Sequence, residues 1–67
     1  MQYHILETTM HANGENTCEY LGVADYDILP ETRCKVYHND ETFVCSVYTD
    51  YFASLSEMER FRQEYIS

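Results

Sequence analysis

The chain has few basic residues: four Lys and Arg stand against twelve Asp and Glu, for a net charge of −8. The deficit is uneven. Residues 1–32 hold six acids and no Lys or Arg, while all four basic residues fall from Arg33 onward. A surface of this sign argues against direct binding to nucleic acid or anionic membranes, which both need positive charge. It suits a protein partner with a basic surface. No apolar run approaches the ~20 residues that span a bilayer. The start, MQYHILETT, lacks the basic and apolar regions of a secretion signal. Three cysteines, Cys18, Cys34 and Cys45, are an odd number without CxxC spacing, which fits reduced thiols better than a disulfide framework. Together these absences point to the cytoplasm. No Gly-rich phosphate loop, HExxH or nucleophile elbow occurs, and His4, His11 and His38 stand apart. An enzyme is not expected, nor a cofactor.

What is present is apolar enough to fold: 45% hydrophobic and 15% aromatic, with seven tyrosines, in 67 residues. That composition excludes a disordered acidic tail. The length gives one domain with a marginal core, so support from a homodimer contact, another partner, a metal or a disulfide would be in keeping.

Residues 33–49, RCKVYHNDETFVCSVYT, alternate apolar and polar on both sides of Asn39-Asp40, the period of a strand. A two-residue turn there pairs His38 with Glu41, Val36 with Phe43 and Cys34 with Cys45. In that register Cys34, Val36, Phe43, Cys45 and Val47 share one face, and Tyr37 and Tyr48 lie together on the other. Asn and Asp tolerate the positive φ of such a turn, although the favoured Gly is missing.

Residues 2–10 read as a strand, followed by Asn13-Gly14, a hairpin signal with a direct steric cause. A two-residue turn sets Leu6 opposite Leu21 and His4 opposite Val23, with Gly22 marking a bulge or a close backbone approach. A short helix capped by Asn16 or Thr17 competes for 15–23; the hairpin is preferred. Residues 24–29 form a connector or short edge that ends at Pro30. Ser54 and Glu57 match a capping box, and Leu55, Met58, Phe61, Tyr65 and Ile66 form a helical stripe. That stripe is expected to cover the Cys34–Val47 face, with Arg62 reaching back to Glu59. The fold class is α+β: a small antiparallel sheet of three to four strands from two hairpins, with one C-terminal helix packed on one face.

The candidate partner-binding residues are Glu15, Glu19, Tyr20, Asp25, Tyr26, Asp27 and Glu31, an acidic stretch with two tyrosines, together with Tyr37 and Tyr48. Spaced carboxylates can occupy the basic groove of a nucleic-acid-binding protein, as phosphates do; they also serve simply as a solvated face. Tyrosine suits an interface. The leading expectation is a small interaction module that masks or inhibits a protein, of the kind viruses encode. The alternatives are a self-associating structural protein and a thiol or metal sensor built on Cys34, Cys45 and His38, for which the spacing is weak. Buried free cysteines acting as small hydrophobes are the plainer account of that pair.

Overall fold

The computed structural model describes residues 1–66, with Ile66 in backbone only. It contains β1 (Gln2–His11), β2 (Asn16–Asp25), β3 (Arg33–Asn39), β4 (Thr42–Phe52) and α1 (Leu55–Ile66). The four strands form one antiparallel sheet in the order β2-β1-β4-β3. The α+β class is therefore as expected, with four strands, and 16–25 is a strand rather than a helix.

The first hairpin closes through three residues, not two. The His11 amide donates to the Glu15 carbonyl at 2.9 Å, the Gly14 amide donates to the His11 carbonyl at 3.0 Å, and Gly14 sits at φ +91. This is the arrangement in which a turn is followed by a left-handed glycine. The pairing then runs Met10 with Asn16 down to Leu6 with Tyr20, not Leu21. At Leu21 an extra residue enters β2, Gly22 takes φ +105, and His4 meets Val23 as anticipated. The longer turn and the bulge offset one another.

The second hairpin departs further from expectation. Its turn is Asp40-Glu41, with Asn39 opposite Thr42 and Asp40 at positive φ, +53, alone among the described non-glycine residues. Val44 is then an extra residue in β4, so that Tyr37 meets Cys45, Val36 meets Ser46 and Cys34 meets Tyr48. The Val44 carbonyl accepts the Ala12 amide at 3.1 Å, which fastens the bulge from the β1 side. Cys34 and Val36 consequently share one face with Ser46 and Tyr48. Cys45 and Val47 share the opposite face with Lys35 and Tyr37. The expected apolar face is split, Cys34 does not oppose Cys45, and Tyr37 and Tyr48 lie on opposite sides of the sheet.

The helix accordingly has no continuous apolar hairpin face to cover. It packs on β2, β4 and β1 and does not touch β3. Ser54 caps it, its hydroxyl accepting the Glu57 amide at 3.2 Å. Midway along it Phe61 packs on Phe52 of β4, with ring centroids 5.2 Å apart. At its far end the Asn16 side-chain amide of β2 donates to the Tyr65 carbonyl at 3.4 Å. Twelve residues reach ~18 Å at ~1.5 Å each, a length used up in this diagonal from β4 to β2.

The core lies where α1 crosses β1. Leu6, Thr8 and Met58 are buried there, and the Thr8 hydroxyl is 3.6 Å from the Cys18 sulfur. Of the anticipated stripe, Met58 is 1% exposed and Phe61 and Tyr65 are half-buried, but Leu55 is 50% exposed. The side chain of Ile66 lies outside the described residues. Arg62 reaches Glu59 at 3.6 Å, as anticipated. On the reverse face Tyr3 is buried by Tyr26, centroids 6.4 Å apart, and Tyr26 meets Tyr51 edge-on at 5.5 Å. The molecule measures 40 × 26 × 15 Å. Its least dimension matches one sheet and one helix, so the reverse face has no second layer beyond the tyrosine cluster.

Candidate partner-binding surface

Three of the acidic candidates follow the β2 edge and two lie in the connection that crosses the sheet towards β3. Glu15 precedes β2, Glu19 lies within it and Asp25 ends it; Asp27 and Glu31 follow in the 26–32 connection, and all five are exposed. Asp25 pairs with the Met1 ammonium at 2.7 Å, both groups well exposed. Glu19 is directly opposite Glu7 on β1, and this pair lies on the reverse face with Thr49 next across β4. Directly opposed like charges on neighbouring strands destabilise a sheet by some tenths of a kcal/mol to ~1 kcal/mol. Glu7 was not among the residues anticipated; the signal was available, since a three-residue turn places it across from Glu19.

The tyrosines separate into different roles. Tyr20 turns to the helix side of β2, where its hydroxyl meets His4 Nδ1 at 2.9 Å. Tyr26 is committed to packing with Tyr3 and Tyr51, a structural position rather than a free contact residue. Tyr37 is exposed on the reverse face of the far edge, with the Lys35 ammonium 5.2 Å from its ring centre. Tyr48 is half-buried on the helix side. There it lines, with Thr8, Phe61 and Tyr65, a space of about 240 Å³ that α1 leaves open towards β3. That volume is below the ~300–1,000 Å³ of ordinary small-molecule sites. Cys34 stands directly across from Tyr48, and a thiolate there favours the protonated phenol, as acceptor of its O–H, and repels the phenolate, holding this phenol above its ordinary value of 10.0.

Edges β2 and β3 are separated by β1 and β4, roughly 14 Å of sheet at ~4.8 Å per strand. The anticipated residues thus do not form one patch. Glu15, Glu19, Asp25 and Tyr20 belong to the β2 side, Asp27 and Glu31 to the crossing that ends beside β4, where the Thr32 hydroxyl donates to Asp50 at 2.6 Å, Tyr37 to the β3 edge and Tyr48 to the helix-side space. The cysteines do not converge: Cys34 is exposed on β3, whereas Cys18 and Cys45 are half-buried on other strands. No group of three His, Cys, Asp or Glu residues among those described is placed to hold a metal. No helix among the described residues is long and apolar enough to cross a membrane.

Comparison with protein-family models, with curated proteins and with solved structures gave no match.

Proposed function

We propose that the chain is a small acidic interaction module that seats a basic surface of a protein partner on its β2 side and masks it. The observation that carries this reading is the Glu7–Glu19 pair. The free protein sets two glutamates directly opposite each other on an open sheet face, a like-charge pairing that a cationic group placed between them would turn into attraction. Glu15 and Asp25 extend the same sign along β2, and the first 32 residues hold no Lys or Arg to neutralise it.

A basic protein surface fits better than close imitation of duplex DNA. Glu15, Glu19 and Asp25 span ten steps of strand, ~33 Å, so their charge is spaced about one per 11 Å, against ~1.7 Å for the duplex.

The test compares affinity capture from the cells that make the protein using wild type, Glu19→Gln, and a combined Asp25→Lys, Asp27→Lys, Glu31→Lys variant. The same partner should be retained by wild type, reduced with Glu19→Gln and lost with the triple variant. Glu19→Gln should meanwhile raise the stability of the free protein by some tenths of a kcal/mol, because it relieves the opposed charges. A partner held equally by all three would reject the acidic side as the contact.

A further inference from the structure

The sheet has two edges, and they are built differently. Edge β2 carries Glu15, Glu19 and Asp25, breaks its ladder at Leu21 and Gly22, and lies under α1. Charge, bulges and covering elements are the devices that stop an edge strand from recruiting another. Edge β3 has fewer of them: Arg33 and Lys35 are its charges. All seven of its residues are exposed, no described residue of α1 packs on it, and it contains no Asp, Glu, Pro or Gly. Val36 is 47% exposed and Tyr37 42%, with Phe43 and Val44 beside them on β4 at 38% and 44%. A strand in this state presents a row of unpaired backbone donors and acceptors flanked by apolar side chains.

We infer that β3 pairs antiparallel with β3 of a second copy, about a two-fold axis at Val36. Three observations select this occupant and this register. First, the 33–49 hairpin holds Arg33, Lys35, Asp40 and Glu41 and is neutral, in a chain whose net charge is −8. It is the part where two copies repel least. Second, β3 runs from 33 to 39, so centring on Val36 pairs all seven residues. Val36 then meets its own copy, Lys35 meets Tyr37, Cys34 meets His38 and Arg33 meets Asn39. Lys35 already lies by the ring of its own Tyr37, and the second Tyr37 gives it another aromatic neighbour. The turn residue Asp40 comes to lie one position beyond the other copy's Arg33. A shift that keeps the faces aligned moves the axis to Lys35 or Tyr37 and pairs only residues 33–37 or 35–39. The first of these sets Lys35 against itself, which is unfavourable. Third, the buried residues among those described are only Tyr3, Leu6, Thr8 and Met58. Domains with so small a core commonly gain stability by association. The result is one eight-stranded sheet with both helices on the same side and both acidic β2 edges at its outer ends. The proposed acidic contact is therefore left free, and the two proposals stand or fall separately.

Sedimentation equilibrium over micromolar to near-millimolar concentration tests the pairing. Wild type should rise from 8.0 kDa to twice that mass. Val36→Lys, which sets two ammonium groups against each other at the axis, should stay monomeric with an unchanged circular dichroism spectrum. A Val36→Cys variant, with Cys18, Cys34 and Cys45 replaced by Ser, should form a symmetric disulfide dimer under mild oxidation. A Leu21→Cys variant in that same background should not. A mass of 8.0 kDa at every concentration overturns the inference, leaving the edge to a strand from another protein or to solvent. Doubling that Val36→Lys leaves intact, or cross-linking from Leu21→Cys instead, also overturns it.

Discussion

Met58 and Leu55 belong to the same stripe by sequence, yet they should respond very differently to truncation. At 100° per residue Phe61, Tyr65 and Met58 occupy an arc of ~60°, whereas Leu55 lies ~60° beyond Met58 on the other side. The observed contact face is the first arc, with Met58 1% and Leu55 50% exposed. This rotation also carries Arg62, which lies between Met58 and Leu55, out to meet Glu59. A buried Met→Ala change costs ~2–5 kcal/mol. Here the lower half of that range applies, ~2–3 kcal/mol, because a single helix on one sheet can settle into the gap. Leu55→Ala forfeits about half of a side-chain burial worth ~1.5–3 kcal/mol, less what Ala gains in helix propensity, so under ~1 kcal/mol. Sixty-seven residues carry roughly 3–10 kcal/mol of total stability, and m is near ~1 kcal/mol per molar urea for so small a chain. In urea melts followed at 222 nm, Met58→Ala should lower the midpoint by ~2–3 M and Leu55→Ala by less than ~1 M. Equal losses, or a larger one from Leu55→Ala, would mean that α1 is rotated towards the face read from sequence.

The remaining predictions concern turns, the cap and one phenol. Asp40→Gly should stabilise by about 0.5–1 kcal/mol, since Asp40 sits at φ +53 and glycine adopts that region without strain. Asn39→Gly, within β3, should destabilise by a similar amount in the same melts. Gly22→Ala should cost ~1–3 kcal/mol through backbone strain alone, because nothing lies within 4 Å of the added carbon. Ser54→Ala should cost ~1 kcal/mol by leaving the Glu57 amide uncapped. Cys34→Ala should lower the Tyr48 titration, followed by carbon NMR of the phenol ring, towards 10.0 by removing its hydrogen bond and repulsion. The sign follows from linkage: the folded chain holds this proton above pH ~10 where the unfolded chain gives it up. The contribution is therefore present below pH ~10 and lost as pH rises through the raised folded value, and it should shrink in the variant. An unmoved Tyr48 titration would refute the pairing of Cys34 with Tyr48.

Much of the fold was legible because its signals are local. Period-two alternation marked the strands, Asn13-Gly14 the first hairpin, Gly22 its bulge, and Ser54 with Glu57 the helix start. The candidate surface was legible in part. Glu15, Glu19 and Asp25 follow one edge because they fall on or beside one strand, whereas the crossing after Asp25 carries Asp27 and Glu31 towards β4 and β3. The half-buried setting of Tyr26 and Tyr48 was not legible, since their neighbours Tyr3, Tyr51 and Phe61 come from elsewhere in the chain. The core was hidden for a different reason. Thr8 is 1% exposed between Leu6 and Met58, and a threonine inside Glu-Thr-Thr weakens the very alternation that would have marked β1 as central.

The second hairpin shows why strand order can be read where facing cannot. Moving the turn from Asn39-Asp40 to Asp40-Glu41 shifts every cross-strand partner by two positions. Such a shift exchanges neighbours but leaves each side chain on the face it had. Val44 adds one more position, and an odd shift turns over everything beyond it on one strand relative to the other. In the first hairpin the extra turn residue and the extra residue at Leu21 offset each other, so His4 still meets Val23. In the second nothing offsets Val44. Its trace in the sequence is only the unbroken run Phe43-Val44-Cys45, which alternation alone passes over. The consequence reaches well past the hairpin. With its apolar residues divided between two faces, neither face offers α1 a continuous apolar seat across the hairpin. α1 settles across β2, β4 and β1 instead, and β3 keeps an acid-free edge that no other described element covers.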